Sequence, residues 1–138
     1  MAKIKHIALS THDPEKTAAF YKETLGLQEV GKVNSPLAEG YYLTDGSINV
    51  AILKFKSDFA ADKPEGVNFV GLHHFGFKVD DLEETEARLQ EAQADKRPQM
   101  NTAMPSGASH RNVEVKYRGP DGVIFDISST GWVGTSDD

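Results

Sequence analysis

Residues 72–89, LHHFGFKVDDLEETEARL, repeat the pattern of residues 4–21, IKHIALSTHDPEKTAAFY. His74 aligns with His6, and the two are 68 positions apart (74 minus 6). In each copy, a mostly apolar segment that contains a histidine predicts a strand. The polar, acidic residues after it predict the start of a helix. A pattern that recurs at a fixed spacing indicates two copies of one supersecondary unit.

The residues after each copy predict the same series of elements. Asp13 followed by Pro14, and Asp81 followed by Glu84, are helix N-terminal signals. Asp-Gly turns at Asp45 and Asp121 each precede a last strand. The six strands predicted after the helices are Gln28–Val33, Tyr41–Thr44, Ile48–Phe55, a weak one near Pro98–Thr102, Asn112–Arg118 and Val123–Ser128. The sequence therefore predicts an α+β fold of two tandem βαβββ modules.

These signals divide the chain into module one at about 3–56, a linker at 57–70, module two at 71–129 and a tail at 130–138. The 138 residues are expected to form a single domain. The tail, TGWVGTSDD, is expected to be mostly disordered, although Trp132 could dock on the fold or on a partner.

Composition narrows the functional classes. The sequence has no cysteine, so any metal site must use histidine, carboxylate, amide or water ligands. A formal charge of −6 without a basic cluster argues against nucleic-acid binding. No targeting segment and no apolar run long enough for a membrane span is recognisable, so a cytoplasmic protein is expected.

Alternation along residues 72–79 separates the two adjacent histidines. His73 shares its face with Phe75 and Phe77, which predicts a structural histidine on the helix-packing side. His74 shares the other face with Gly76, as His6 shares its face with Ala8 in the first copy. A small neighbour leaves room for a metal ion, water or substrate, whereas a purely structural histidine would leave a costly void there.

The last strand carries a carboxylate on its less bulky face. Asp126 lies between Phe125 and Ile127, and a carboxylate inside an apolar strand is costly unless it is paired or binds a metal. His6, His74 and Asp126 together make a two-histidine, one-carboxylate set suited to Fe(II), Mn(II) or Zn(II). Taken alone, each histidine would more often be an ordinary buried residue.

Three motifs resemble the vicinal oxygen chelate superfamily, the glyoxalase, bleomycin-resistance and extradiol dioxygenase group. They are IKHIALSTHDPEKTAAFYKETLGL, LHHFGFKVDDLEE and RGPDGVIFDIS, and the likeness covers about residues 3–129. It implies curved mixed sheets around a cavity, a homodimer, and metal positions at His6, His74 and Asp126. The metal would be a divalent Fe, Mn, Zn or Ni ion.

The resemblance also implies a fourth metal position on the last strand of module one. Asp126 lies five residues after Asp121, and the residue five after Asp45 is Val50, which cannot bind metal. Asn49 would reach this position only through a bulge. An apolar residue at this fourth metal position, called the fourth corner of the site below, fits three-ligand members such as dioxygenases better than four-ligand glyoxalases. The spacing of Tyr117 and the aspartate in place of glutamate match the dioxygenase pattern imperfectly.

Candidates for acid–base chemistry lie near the last hairpin. Glu114 and Lys116 share a strand face, and His110 lies in the loop before it; Glu114 and His110 are the predicted catalytic residues. The simpler interpretation is that this face meets solvent, and that His110 is a solvated loop residue.

The leading hypothesis is a metal-dependent enzyme that chelates a small substrate with adjacent oxygens and stabilises an enolate or catecholate. It would be a dioxygenase or a glyoxalase-type lyase or isomerase. The alternative is a metal-free binding protein of the bleomycin-resistance type.

Overall fold

The computed structural model describes residues 1–101 and 113–137, without the side chains of 99–101. Its strands are β1 Lys3–Ser10, β2 Gln28–Asn34, β3 Ala38–Thr44, β4 Asn49–Phe55, β5 Gly71–Lys78, β6 Asp95–Asn101, β7 Glu114–Arg118 and β8 Ile124–Ser128. Its helices are α1 Pro14–Leu25, α2 Asp58–Ala61 and α3 Leu82–Glu91. Among the described residues, no helix has the length and apolar content to cross a bilayer.

The eight strands form one mixed sheet in the order β2-β3-β4-β1-β5-β8-β7-β6. Each module contributes four neighbouring strands, and β1 and β5 join the modules as an antiparallel pair. The closing strands β4 and β8 run parallel to β1 and β5. The predicted α+β fold of two βαβββ modules is confirmed. The pairing brings β4, β1, β5 and β8, which carry the predicted metal positions, to the middle of the sheet.

Local signals start and end the long helices as the sequence predicts. The carboxylate of Asp13 accepts a hydrogen bond from the backbone N–H of Lys16, and that of Asp81 accepts one from Glu84, each at 3.0 Å. Gly26 ends α1 in the left-handed conformation that glycine adopts at low cost.

The two long helices, α1 and α3, cover the outer face of the sheet. α1 packs through Ala18 against Leu43 and Ile52, and α3 lies over a second cluster that contains Val115 and Ile127. Since neighbouring residues on a strand point to opposite faces, the residues between these apolar positions face inward.

Two β-bulges interrupt the pairing of β1 with β5. Lys5 is the extra residue of one, between the pairs Ile4–Phe77 and His6–Gly76, and His73 is the extra residue of the other. A bulge sets two residues of one strand against one of its partner and disturbs the alternation of side chains. Both Lys5 and His73 are buried beside a buried histidine.

The linker has structure of its own, and the tail is more structured than the sequence predicted. Residues 57–70 contain α2 and a 3-10 turn at Gly66–Asn68. The expectation of a mostly disordered tail is wrong for residues 130–137: Trp132 is only 2% exposed, and Gly134 lies against Thr44. The alternative that Trp132 docks on the fold is confirmed.

Candidate metal centre

Three side chains from three strands meet at the inner face of the sheet. Nε2 of His6 on β1 lies 3.2 Å from Nε2 of His74 on β5. Oδ2 of Asp126 on β8 lies 2.9 Å from the His74 nitrogen and 3.6 Å from the His6 nitrogen. All three residues are buried, so the structure brings together the set that the sequence predicted.

Asn49 on β4 orients His6. Its amide nitrogen donates to the carbonyl of Val133 at 3.0 Å, which leaves Oδ1 to accept from Nδ1 of His6 at 2.8 Å. Burial lowers the pKa of His6 to about 4, so this imidazole is neutral near pH 7. With its one proton on Nδ1, His6 presents the lone pair of Nε2 to the cluster.

The chemistry of the three atoms fits a divalent ion. Oδ2 of Asp126 is buried with no hydrogen-bond partner among the described residues, which is costly without a cation. Around an ion with bonds of about 2.1 Å, neighbouring ligand atoms lie about 3.0 Å apart in octahedral and about 3.4 Å apart in tetrahedral geometry. The observed separations of 2.9, 3.2 and 3.6 Å bracket these values.

Lys116 on β7 holds the other oxygen of the aspartate. Its ammonium group donates to Oδ1 of Asp126 at 2.7 Å. Burial alone would lower the pKa of Lys116, but the carboxylates of Asp126 and Glu114 raise it overall, so the lysine stays charged. The pair fixes the carboxylate with Oδ2 toward the two imidazoles.

Glu114 faces the same cluster. A carboxylate oxygen of Glu114 and one ligand atom each of His6, His74 and Asp126 all lie within 4.8 Å of one another. Burial, with the charge of Asp126, raises the pKa of Glu114 to about 7. These four residues could hold a metal ion, or Glu114 could exchange a proton beside it.

The simpler interpretation of β7, a face exposed to solvent, is wrong. Glu114 and Lys116 are buried, 4% and 5% exposed, because the sheet curves this face inward over the cluster. Alternating charged and apolar residues are typical of a solvated strand, so the local pattern gave no sign of this. His110 lies outside the described residues, and its catalytic role stays a prediction.

The fourth corner of the site is alanine, not valine. Asp126 pairs with Gly76 across β5 and β8, and the corresponding pair in module one is Ala8 with Ala51. The count from the Asp-Gly turns fails by one residue because β4 begins four residues after Asp45 while β8 begins three after Asp121. Val50 packs toward α1, so an apolar corner remains.

Asn49 faces inward without a bulge. It pairs directly with His6 on β1, and its side chain supports that histidine from behind. From the sequence, Asn49 is predicted only as a possible ligand, and its role behind His6 comes from the structure. Alternation puts Asn49 on the same face of β4 as Ala51, but the count that pointed to Val50 assigned Asn49 to the opposite face.

The tail supplies Trp132, a residue of the site that no motif in the sequence indicated. The ring of Trp132 stacks on His6 with 4.7 Å between centroids and 1° between planes. Its indole N–H donates to Oε2 of Glu114 at 3.3 Å. A Cβ at Gly76 would lie 2.8 Å from the indole. The sequence predicted open room at this position beside His74, but Trp132 fills it.

The prediction that His73 lies on the outer, helix-packing face is also wrong. The bulge in β5 turns it inward, where Nδ1 lies 2.7 Å from Nδ1 of His74. Its ring is 3% exposed and packs against Phe55 at 4.4 Å between centroids. Burial lowers the pKa of His73 to about 4.

Comparison with solved structures shows the same fold in several proteins. A Streptomyces coelicolor methylmalonyl-CoA epimerase variant with bound 2-nitronate-propionyl-CoA matches with a TM-score of 0.73 and 19% identity over 97% of each chain. An epimerase from Mycobacterium tuberculosis matches with 0.69 and 15%, over 91% of this chain and 85% of that one. A hypothetical protein, BH1468, from Bacillus halodurans C-125 matches with 0.72 and 17%, over 92% and 93%.

Sequence comparison identifies the family. A search of curated proteins gave no significant match. The model of the Glyoxalase/Bleomycin resistance protein/Dioxygenase superfamily matches residues 3–127, nearly the whole length. The chain therefore belongs to the glyoxalase, bleomycin-resistance and dioxygenase superfamily, as its repeated motifs indicated.

Proposed function

We propose that this protein is a divalent-metal-dependent enzyme that acts on a small substrate with two adjacent oxygens. The observation that carries the proposal is the convergence of two imidazole nitrogens and one carboxylate oxygen, the last with no hydrogen-bond partner among the described residues. His6, His74 and Asp126 would hold the ion. A bound divalent ion would supply Lewis-acid stabilisation of charge on a substrate oxygen.

Glu114 favours proton transfer as the reaction. A carboxyl with a pKa of about 7 can both take and return a proton near neutral pH. The indole N–H of Trp132 donates to Oε2 of Glu114 and holds this carboxyl beside the cluster. Nζ of Lys116 lies 3.9 Å from the same oxygen. An isomerisation or epimerisation next to a carbonyl uses this kind of group, and the epimerases with the same fold support it by analogy only.

The substrate would meet the site from the side of module one. A cavity of about 30 Å³ there is lined by apolar side chains, including Tyr42 and Phe55, and by His6, His74 and Glu114. This volume suits one water molecule. A substrate would therefore enter only with movement of neighbouring side chains or of Trp132.

A ring-cleaving dioxygenase is the second candidate. Two histidines, one carboxylate and an alanine at the fourth corner match the three-ligand arrangement of non-haem iron oxygenases. The third alternative is a metal-free protein that binds a small molecule, as bleomycin-resistance members do.

Metal loading followed by two assays separates these functions. Purified protein is stripped with chelator, reloaded with Mn, Fe, Ni or Zn, and incubated in D₂O with small 2-hydroxy ketones and malonyl-type thioesters. Proton transfer predicts deuterium incorporation next to the carbonyl, seen by NMR, whereas the dioxygenase predicts oxygen consumption with catechols in the iron form alone. Failure of every metal to bind would contradict both enzymes and leave the binding protein.

The variant Glu114→Gln distinguishes a proton-transfer residue from a metal ligand. If Glu114 moves the proton, the variant takes up metal as the wild type does but loses at least about 100-fold in exchange rate. A matched variant on the exposed side, Glu84→Gln, is expected to leave both unchanged. Loss of metal uptake in Glu114→Gln would make this residue a ligand.

A homodimer forms part of the proposal, since family members commonly close the cavity with a second chain. Light scattering that finds a mass near 30 kDa, about twice the 15.1 kDa of one chain, would support it. A monomer under the conditions of the activity assay would contradict it.

A further inference from the structure

The bulge in β5 places His73 directly behind His74. Nδ1 of His73 lies 2.7 Å from Nδ1 of His74, and Nε2 of His73 lies 2.6 Å from the carbonyl oxygen of Ala61 at the end of α2. We propose that His73 is a positioning residue that, with the linker helix α2, fixes the tautomer of His74 so that its Nε2 lone pair faces the cluster.

The positions of the protons follow from the partners. A carbonyl oxygen only accepts, so the proton of the neutral His73 ring lies on Nε2 and is donated to Ala61. Nδ1 of His73 is then an acceptor, and the 2.7 Å contact requires a proton on Nδ1 of His74. Nε2 of His74 is left with its lone pair, 2.9 Å from Oδ2 of Asp126 and 3.2 Å from Nε2 of His6.

Without His73 the other tautomer would be favoured. A proton on Nε2 of His74 could be donated to the carboxylate of Asp126, which is otherwise unpaired at Oδ2. That hydrogen bond would satisfy both groups and block the atom that a metal ion would bind. The acceptor behind His74 is therefore what keeps the ring available to a cation.

The linker holds the carbonyl of Ala61 in place. Ala60 and Ala61 are both 1% exposed and pack into the inner core. The next residue, Asp62, ends α2 in the left-handed conformation, with a φ of 51°. Arg97 on β6 contacts its carboxylate through Nε at 2.7 Å and Nη2 at 3.0 Å, and Arg118 on β7 donates to both its carboxylate and its backbone carbonyl.

The two histidines of the site thus use different supports. His6 donates to the side-chain amide of Asn49 on its own module, whereas His74 donates to a second histidine held by the segment between the modules. Residues 57–70 are a part of the site's support and not only a connection. The effect on metal binding rests on the proposed function; the tautomer does not.

Nitrogen-15 NMR of the metal-free protein tests the tautomer directly. Long-range correlations distinguish a protonated from an unprotonated ring nitrogen, and the expected result is Nδ1–H for His74 and Nε2–H for His73. A wild-type protein with His74 protonated on Nε2, or with His73 protonated on Nδ1, would overturn the proposal without any variant.

Two variants of His73 test its role as an acceptor. His73→Phe keeps an aromatic ring but offers no acceptor, so His74 is expected to shift to Nε2–H and zinc affinity, measured by calorimetry, to fall about 10- to 100-fold. His73→Gln keeps one acceptor and one donor, and is expected to restore Nδ1–H and most of the affinity. His12→Gln is the control, because His12 also contacts a linker carbonyl, that of Val67, but is exposed.

The outcomes separate this inference from the proposed function. An unchanged tautomer in His73→Phe, or the same change in the Phe and Gln variants, would leave His73 only a packing role and overturn the inference. A tautomer that responds as expected in a protein that binds no metal would sustain the inference and contradict the proposed function.

Discussion

Replacement of Trp132 by alanine is expected to destabilise the whole fold, although the residue lies in a polar tail. The indole is 2% exposed, stacks on His6 at 4.7 Å and lies against Gly76. Truncation of a buried tryptophan typically costs about 3–5 kcal/mol, and a domain of this kind has a total stability of about 5–15 kcal/mol. The variant should therefore fold, with a free energy of unfolding lower by about 4 kcal/mol in urea titration.

Circular dichroism should follow this unfolding, because Trp132 is the only tryptophan and its fluorescence is lost in the variant. Trp132→Phe is the matched control: it keeps ring stacking on His6 but removes the N–H that donates to Glu114. Its expected cost is smaller, about 1–3 kcal/mol. A loss below about 1 kcal/mol in Trp132→Ala would refute the docking of the tail.

Three further changes test the surroundings of the site. Gly76→Ala places a Cβ 2.8 Å from the indole of Trp132, and should lower the free energy of unfolding by about 1–3 kcal/mol in urea titration. Asn49→Ala removes the acceptor behind His6, and should weaken zinc binding about 10- to 100-fold by calorimetry; unchanged affinity would contradict this support. Burial raises the pKa of Asp62, but its arginine partners lower it overall, so its ion pairs stabilise the fold above the unfolded-state pKa and are lost as the pH falls through the folded one. Asp62→Asn should therefore have a lower free energy of unfolding than the wild type at neutral pH, and the difference should shrink as the pH falls. Free energies of unfolding that fall in parallel with pH in the two proteins would contradict this.

The fold and the three central residues could be predicted because their signals are local. A helix cap needs only the first turn, and alternation within one strand assigns His74 and Asp126 to faces. The repeat then aligns His6 with His74 without knowledge of the pairing. These signals do not depend on contacts between distant segments.

The rest depends on how distant segments pair. The bulge at His73 exists only in the register between β5 and β1, so alternation assigned this residue to the wrong face. The shift from Val50 to Ala51 comes from a difference in turn length. The burial of Lys116 follows from curvature of the sheet, and that of Trp132 from docking of a segment whose own composition is polar.

Metal content of the protein tests the central claim most directly. Protein purified without chelators, or dialysed against a divalent metal and then against buffer, should contain one ion per chain by plasma emission spectroscopy. His74→Ala should lose that ion while His12→Ala keeps it, because only His74 faces Asp126 and His6. No bound metal in the wild type, or equal uptake by both variants, would contradict the proposed metal site.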